Sequence, residues 1–298
     1  MKLELCDDAV EFGRQALRAF DAAGGDELVA RAEAAPGERA ALVAPVLAEL
    51  GAWDLEVRSD PDSREAAAAL CRSAGYWALP YPLAERLARP VDLDVDGLIV
   101  ISDTPEGAVA GLDNRWAAVT LDGHRGIATP GRTGGPAFIT TLDVAPLDTD
   151  GAADVALGLI LPCWTLLGML DRAIELTIAH ITLRQQFGQP LSAFQGVQFQ
   201  LTEAEVERSG CEILAKHALW TLDTDDALAL RMAAIDAADV VFRVCHQLHG
   251  AVGFCDETTL SWLSRYSQPL RRLPFGLSAT RTQLTRRLGR RGLTGLYS

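Results

Sequence analysis

The stretch LRQQFGQPLSAFQGVQFQLTEAEVE, residues 183–207, connects two long helical patterns, and this connection decides the fold. Gly188 is expected to end the first helix, since glycine commonly follows a helix C-terminus. Ser192 is expected to be the N-cap of the second helix, because a serine side chain accepts hydrogen bonds from the first free amides. A short connection between two long apolar helices predicts an antiparallel helical bundle.

Helical patterns continue from this stretch through the last half of the chain. After residue 151, the spacing of apolar residues predicts four long helices and one shorter helix. Their expected ranges are 153–184, 192–222, 225–250, 277–291 and, for the short helix, about 258–268. Thr224 or Asp225 is expected to cap the third of them.

Two other regimes of composition precede these helices. The first part of the chain is rich in Ala, Leu and Glu with helical periodicity, and the next part contains short β-like runs between Gly, Pro and Asp turns. The expected fold is therefore mainly α with a small β middle domain. The expected domains are an N-terminal helical domain at 1–89, a reduced β domain at 90–150, and a C-terminal four-helix bundle at 151–298.

The charge distribution limits the classes of partner. The formal net charge is −13 over 298 residues, which argues against nucleic acid or an anionic membrane as the main partner. The segment after Glu257 contains no Asp or Glu but eight arginines: Arg265, Arg271, Arg272, Arg281, Arg286, Arg287, Arg290 and Arg291. This segment suits a phosphate-bearing ligand or the acidic face of another subunit, or it is a solvated arginine-rich helix.

The apolar run VALGLILPCWTLLGML, Val155 to Leu170, is the one candidate for a membrane span in the sequence. It has 16 residues, whereas a span needs roughly 20 apolar residues, so a buried helix and no membrane span are expected. The N-terminal residues are acidic and lack the apolar core of a signal peptide. The six cysteines form no C-x-x-C pair, so reduced thiols and a cytoplasmic location are expected.

Several kinds of site are unlikely on spacing. The five histidines form no H-E-x-x-H motif and no other arrangement suited to a metal, so no metal site is expected. The glycine cluster TPGRTGGP, 129–136, leads into a strand and lacks both the dinucleotide fingerprint and the P-loop lysine. A hairpin loop is the better interpretation of that cluster, and a Rossmann domain is not expected.

The opening stretch carries three residues suited to a nucleotide-like ligand. Arg184 offers a fork of donors for phosphate oxygens, Phe187 offers a ring to a planar group, and Gln195 offers an amide to a polar rim. The structural alternative is that Arg184 caps a helix while Phe187 belongs to the core. Spacing alone modestly favours that alternative.

A second stretch, HQLHGAVGFCDE at 246–257, changes this balance. Gln247 precedes Gly250 and Gly253, and glycines permit a close backbone approach to a ligand. The order R-x-x-F-G, then Gln195, then Q-x-x-G-A-x-G-F resembles the acyl-CoA dehydrogenase family, whose pattern is R-x-x-F-G and Q-x-x-G-G-x-G-F. That family also has N-terminal helices, a β middle domain and a C-terminal four-helix bundle.

The resemblance implies an FAD site at a subunit interface. By carry-over, Arg184 would contact the FAD diphosphate, Phe187 would pack on the cofactor, and Gln195 would bond its adenosine side. The resemblance further implies that the second stretch lines the FAD of a neighbouring subunit. The residues concerned are Gln247, Gly250 and Ala251.

The sequence departs from the family at the catalytic base, a glutamate that removes the α-proton of an acyl-CoA thioester. The family keeps this glutamate at one of two positions, which correspond here to Gly158 and Phe275, so no catalytic residue is assigned. The second glycine of the G-G pair is Ala251, the β domain is short, and the family's flavin-facing W-I-(T/S) run is absent.

Three interpretations follow. First, the chain resembles a reduced, β-type subunit of a heteromeric bacterial acyl-CoA dehydrogenase, in which a related subunit of an α2β2 assembly supplies the glutamate. Bacterial members that act in sterol degradation are built this way. Second, the chain is an active homomeric enzyme with a relocated base, for which Asp256 and Glu257 are nearby carboxylates. Third, it is a flavin-free helical scaffold, which leaves the register of Arg184, Phe187 and Gln195 unexplained.

Overall fold

The computed structural model describes residues 4–131 and 134–291, and its elements follow the order helices, sheet, helices. The N-terminal helices are α1 (Asp7–Ala22), α2 (Glu27–Ala34), α3 (Arg39–Glu49), α4 (Pro61–Tyr76) and α5 (Leu83–Leu87). Asp60 caps α4 by accepting hydrogen bonds from the amides of Asp62 and Ser63, and Pro61 occupies the first helical position, where it needs no amide partner.

A small five-stranded sheet follows. Its strands are β1 (Gly97–Val100), β2 (Glu106–Gly107), β3 (Trp116–Val119), β4 (His124–Pro130) and β5 (Thr140–Asp150). Their order in the sheet is β1-β3-β4-β5-β2, in which β1 and β3 are parallel and the other pairs are antiparallel. The glycine cluster lies between the antiparallel strands β4 and β5, which confirms the expected hairpin; residues 132 and 133 of the cluster lie outside the described residues.

The C-terminal region consists of long helices. They are α6 (Ala152–Leu183), α7 (Gln195–Thr221), α8 (Thr224–His249), α9 (Thr259–Arg272) and α10 (Leu277–Arg291). A minimal hairpin of β6 (Gln185–Gln186) and β7 (Gln189–Pro190) connects α6 to α7. The predicted helical order is thus confirmed, with helix bounds within three residues of the expected ones outside α9.

The two predicted caps are wrong in detail. Asp223 caps α8 by accepting hydrogen bonds from the amides of Asp225 and Asp226, so the cap lies one residue before Thr224. Ser192 lies in a 3-10 turn at Leu191–Ala193, and α7 begins only after Phe194, whose side chain makes no capping bond. The extra turn delays the helix, because the chain must first leave the β6–β7 hairpin.

Helix α6 forms the centre of the molecule. It is long and apolar enough to span a membrane, but 78% of its most apolar window is buried inside the protein. That degree of burial is typical of the central helix of a globular fold. Arg72 on α4 bonds Asp171 on α6 and Glu212 on α7, and it thereby ties three helices together. Although burial opposes it, this pairing and that with Arg208 lower the pKa of Glu212 to about 2.

Candidate functional site

The turn after α6 holds Phe187 in an unusual backbone conformation. Gln186 pairs with Gln189, so Phe187 and Gly188 are the two central residues of a tight hairpin turn. Both have positive φ, 52° and 84°, as a type I′ turn requires. A phenylalanine is strained in that region, yet here its ring is 92% exposed and meets Phe194 edge-on at 6.3 Å. Strain of this kind is often found at functional sites, so the turn is a candidate for one.

A cleft of about 520 Å³ opens between the ends of α6 and α8. We call it the α6–α8 cleft. It brings together four of the six residues predicted to bind a cofactor: Arg184, Gln247, Gly250 and Ala251. Phe187 and Gln195 lie outside its wall, the first on the adjoining turn and the second at the exposed start of α7. Gln186 and Gln200, which the sequence reasoning missed, contribute two further amides to the cleft.

The glycine at the end of α8 keeps the backbone of the cleft accessible. Gly250 has φ +64° and ψ −146°, a conformation that L-residues rarely adopt, and a Cβ built there would meet nothing within 4 Å. The surface beside it is therefore open rather than packed. Chain atoms after Gly250 form a 3-10 turn, Gly250–Phe254, in which Ala251 faces the same cleft.

Arg184 is the arginine of this cleft, and the described residues place no carboxylate in the cleft wall. Burial, together with the charge of Arg184, lowers the pKa of His180. The ring of His180 stacks on His249 at 4.4 Å, and burial lowers the pKa of His249 despite the bond between its Nδ1 and the carbonyl of Cys245 at 2.9 Å. At neutral pH these histidines are therefore largely uncharged, and the charge of Arg184 dominates the electrostatic potential of the cleft.

The donor set of the α6–α8 cleft fits a diphosphate. Phosphate oxygens are bound by guanidinium, amide and backbone N–H groups. The cleft offers the guanidinium of Arg184 with no carboxylate in its wall, several side-chain amides and the open backbone at Gly250. The exposed ring of Phe187, next to the lining residue Gln186, suits a planar group. Since the cleft is open on one side, a second protein surface is needed to enclose a ligand of dinucleotide size.

A second site, the crevice beside Gly158, has the opposite character. Its cavity is about 60 Å³, and its wall includes Gly158, Leu273 and Pro274. A Cβ at Gly158 would lie 2.7 Å from Val100 Cγ2, so the position has no room for a glutamate. Arg231 is buried there and donates hydrogen bonds to the carbonyl oxygens of Leu270 at 3.0 Å and Phe275 at 2.8 Å.

The carboxylates of that crevice were missed by the sequence reasoning. Two carboxylates line the crevice, Glu85 on α5 and Glu106 on β2. Burial of the Glu85 carboxyl group raises its pKa, against the lowering effect of Arg39. In contrast, Asp256 is 76% exposed and pairs with Arg265 at 3.1 Å, and Glu257 is exposed. Neither of the two carboxylates suggested by sequence lines the crevice. Glu85 lies 73 residues before Gly158, so no local pattern could have joined them.

The arginine-rich segment is occupied largely by intramolecular ion pairs. Arg271 on α9 pairs with Asp239 on α8, and Arg281 on α10 pairs with Asp236 on α8 at 3.9 Å. Arg287 likewise pairs with Asp225. For these three arginines the structure shows ion pairs inside the fold, which neither interpretation of the segment, a ligand or subunit contact or a solvated helix, had included. Arg265 and Arg272 border another cleft, of about 700 Å³, beside the β4–β5 hairpin.

Comparisons with known proteins find similar sequences and similar folds. The family described as "acyl-CoA dehydrogenase, C-terminal domain" matches residues 158–284. Acyl-CoA dehydrogenase FadE28 of Mycobacterium tuberculosis is 34% identical over 146 residues, 45% of this chain and 43% of that protein. FadE27 of the same organism is 30% identical over 138 residues, 42% of this chain and 36% of that protein. The chain thus aligns with less than half the length of these relatives.

Solved structures share the fold over almost the whole chain. A steroid acyl-CoA dehydrogenase, the Tcur3481–Tcur3483 G363A variant, superposes with a TM-score of 0.77 at 18% identity, covering 96% of this chain and 99% of its own. The ChsE4–ChsE5 complex from Mycobacterium tuberculosis gives 0.75 at 16% identity, covering 97% of this chain and 99% of its own. At such identities the likeness concerns the fold alone.

Proposed function

We propose that the chain is one subunit of a heteromeric, FAD-dependent acyl-CoA dehydrogenase, because the C-terminal domain of that family matches residues 158–284. In this proposal the chain contributes one wall of the FAD site, and a related subunit supplies the catalytic base. The reaction is the α,β-desaturation of an acyl-CoA thioester. When bound, FAD supplies the acceptor for the hydride that leaves the substrate.

One observation carries the proposal. Arg184, Gln247 and Gly250 converge on an open cleft, whereas the positions of the family's glutamate hold Gly158 and Phe275. In this proposal the bundle contributes the binding surface, while neither of the two usual positions of the base carries a carboxylate. A chain with this combination can hold a cofactor but needs another carboxylate for proton removal.

The residues of the cleft have separate tasks in this proposal. Arg184 binds the diphosphate oxygens, and the amide of Gln247 and the backbone beside Gly250 donate further hydrogen bonds. Phe187 packs on the cofactor from the adjoining turn, and Gln195 bonds the adenosine side. The open face of the cleft is closed by the related subunit, which also excludes water from the flavin.

The partner in this proposal is a related acyl-CoA dehydrogenase subunit in an α2β2 assembly. Two of the similar structures are named for two chains each, Tcur3481–Tcur3483 and ChsE4–ChsE5, which supports a two-chain assembly. The first of them is named as a steroid enzyme, which supports a bulky, sterol-derived acyl group and a role in lipid or steroid degradation. A cytoplasmic location belongs to the same proposal.

A second candidate function rests on Glu85. Its enclosed carboxyl group with a raised pKa lies in the crevice where the family's base would be expected to act. The alternative is therefore an active homomeric enzyme that uses Glu85 as a relocated base. The small volume of the crevice, about 60 Å³, favours the heteromeric proposal, since an acyl chain would require more space.

The visible spectrum and the subunit mass of the purified protein test both proposals. We expect flavin absorption bands and equal amounts of two subunits when the chain is co-expressed with a related subunit that carries the glutamate. Flavin bound to the lone protein and bleached by an acyl-CoA would overturn the heteromeric proposal. In that case, a Glu85→Gln variant that still binds flavin but no longer bleaches would support the relocated base.

Arg184→Gln tests the role of the cleft within the complex. Loss of a charged hydrogen bond to a diphosphate costs about 2 kcal/mol, so FAD binding should weaken by about 30-fold. Arg243→Gln is the matched control, because Arg243 is an exposed arginine on α8 that pairs with Glu203 outside the cleft. Equal flavin retention by both variants would exclude Arg184 from the site.

A further inference from the structure

Two histidine rings lie face to face in the wall of the α6–α8 cleft. His180 belongs to the last turn of α6, and His249 is the last residue of α8. Their ring centroids are 4.4 Å apart, and the two planes differ by 18°. Both residues line the cleft together with Arg184. We call them the histidine pair, and the proposed function gives this pair no task.

Hydrogen bonds fix the position of the proton on His249. Its Nδ1 lies 2.9 Å from the carbonyl oxygen of Cys245, and a carbonyl only accepts, so Nδ1 carries the hydrogen and donates it. The hydroxyl of Thr177, 3.5 Å from the same nitrogen, already donates to the carbonyl of Ala173 at 2.7 Å. In the neutral ring of His249, Nε2 therefore holds the free lone pair and is the atom that can take up a proton.

The groups around the histidine pair oppose its protonation. Arg184 follows His180 by one helical turn, and its amide donates to the carbonyl of His180 at 2.9 Å. Burial and the charge of Arg184 lower the pKa of His180, and burial lowers the pKa of His249. Without a bound anion, the pair is therefore largely uncharged at neutral pH.

The other titratable groups beside the pair are uncharged as well. Burial lowers the pKa of His246 on α8, whose ring is stacked on Phe254 at 4.3 Å. Burial also raises the pKa of the Cys245 thiol to about 11, so this thiol stays protonated. The remaining groups in the described wall of the cleft are amides, backbone and aliphatic side chains.

The wall of the cleft carries little positive charge for a ligand with two phosphates. Helices α6 and α8 both end there, and each C-terminus corresponds to about half a negative charge, whereas only α7 begins there with the opposite sign. Arg184 is the one permanently charged side chain that the described residues place in the wall. A diphosphate within a dinucleotide carries a negative charge on each phosphate, so one arginine does not neutralise it.

We propose that the histidine pair takes up one proton when a diphosphate binds beside Arg184, and that it thereby becomes a second cationic group of the cleft. The bound anion offsets the repulsion by Arg184, and the two helix C-termini stabilise an imidazolium. An imidazolium stacks favourably on a neutral ring, whereas two charged rings at this separation repel each other, so the pair holds one proton in common.

This inference rests on the proposed function, in which the diphosphate belongs to FAD, and it adds a pH dependence to that site. The bound state holds the proton more tightly than the free state. Affinity for the diphosphate therefore increases as the pH falls through the ordinary histidine value of about 6.5. The gain is lost as the pH rises through the pKa of the pair in the complex.

Calorimetric titration of the full chain with ADP-ribose tests the inference. This probe is the ADP half of FAD with a ribose, and its diphosphate lacks the terminal phosphate group that titrates near pH 6, so its charge stays constant between about pH 6 and pH 8. Titrations in two buffers with different enthalpies of ionisation count the protons. We expect uptake of about half to one proton per bound ligand at about pH 6.5, and about tenfold tighter binding at pH 6 than at pH 8.

A double variant removes the proton and keeps the contacts. His180→Phe preserves a stacked ring, and His249→Asn preserves a donor for the carbonyl of Cys245. The double variant should bind ADP-ribose at pH 8 within about twofold of the parent, without proton uptake and without the gain at pH 6. His124→Gln is the matched control, because His124 is an exposed histidine on β4 outside the cleft, and it should keep both effects.

The outcomes separate this inference from the proposed function. Binding of ADP-ribose by the parent without proton uptake overturns the inference and leaves the role of Arg184 in place. Uptake that persists in the double variant also overturns it, since the proton then belongs to another group. No binding at either pH overturns it as well, while flavin retained by the two-subunit complex still decides the proposed function. The proton count of the parent needs no variant, so misfolding of the double variant does not affect that result.

Discussion

Helix α6 connects two sites that differ in every physical respect. Near its start, Gly158 lines a crevice with only about 60 Å³ of free volume. Val100, Leu98 and the segment hydrogen-bonded to Arg231 occupy the rest of the space. Just after its end, Arg184 lines an open cleft of about 520 Å³ with amides and an accessible backbone. The chain thus has an open polar surface at one end of α6 and little free space at the other end.

The difference shows which parts of a site a single chain can supply. A diphosphate is bound by a guanidinium, amides and backbone groups that remain hydrated on an open surface until a ligand arrives. A catalytic carboxylate needs a dry pocket and a substrate held beside it. In the proposed function, this chain contributes the diphosphate-binding surface and another subunit supplies the catalytic carboxylate.

The largest effect is expected from placing a glutamate in the crevice. Gly158→Glu should lower the free energy of unfolding by about 4 kcal/mol, since it overpacks the contact with Val100 and buries an unpaired carboxylate. Urea unfolding measures the loss. The variant should also fail to gain dehydrogenase activity.

Gly196→Glu is the matched control for that change. Gly196 lies in the first turn of α7, and a Cβ there would meet nothing within 4 Å. A glutamate near a helix N-terminus is favourable, so stability should stay within about 0.5 kcal/mol of the parent or rise. Equal losses from both substitutions would contradict the description of the crevice as filled.

A smaller effect is expected at the backbone of the open cleft. Gly250→Ala should cost about 2 kcal/mol, and the cause is backbone strain alone, because no atom lies near the added methyl group. Gly210→Ala, at an open glycine with ordinary helical φ, should instead raise stability by about 0.5–1 kcal/mol. A thermal melt that ranks the two variants the other way would show that Gly250 is not held at positive φ.

Phe187 allows stability and binding to be separated. Phe187→Gly should raise the free energy of unfolding by up to about 1 kcal/mol, because glycine accepts positive φ without strain and the exposed ring loses only its edge contact with Phe194. The same variant should retain less FAD in the complex, since the ring is absent. Unchanged flavin content would show that Phe187 does not contact the cofactor.

Much of this fold could be predicted from the sequence, because long apolar helices carry a strong periodic signal. The order of the elements and the bounds of α6 and α8 followed from that signal. Strand β4, HRGIATP, alternates only weakly between apolar and polar residues and ends in proline, and it becomes a strand by pairing with β3 and β5. The structure of this segment is therefore determined by pairing with neighbouring strands and not by local propensity.

The residues of the candidate site likewise fall into those that local sequence patterns indicate and those that depend on packing between distant segments. Arg184, Gln247 and Gly250 were identified because their order along the chain resembles a family pattern, and that pattern lies in short local stretches at the ends of helices. Glu85 and the stacked pair His180–His249 depend on packing between distant segments, so no local pattern indicated them. The exposure of Phe187 could not be predicted either, since it results from a turn that forces positive φ on a residue that normally avoids it.

The smallest expected effect is an opposite pH dependence of the two sites. Burial lowers the pKa of His249, and also those of His180 and His246, which lie near it with Arg184. The unfolded chain therefore takes up protons first as the pH falls through the ordinary histidine value of about 6.5, and stability at the cleft decreases.

For Glu85 the sign is reversed, because burial raises its pKa. The folded chain holds that proton more tightly, so the contribution of Glu85 is greatest at low pH and is lost as the pH rises through its folded pKa. Between about pH 7.5 and about pH 5.5, His249→Gln should reduce the loss of stability seen in the parent, and Glu85→Gln should increase it. Urea unfolding at both pH values gives the change in the free energy of unfolding for the parent and each variant. If both variants alter that change in the same direction, the crevice and the cleft do not have the opposite pH dependence that burial of their groups implies.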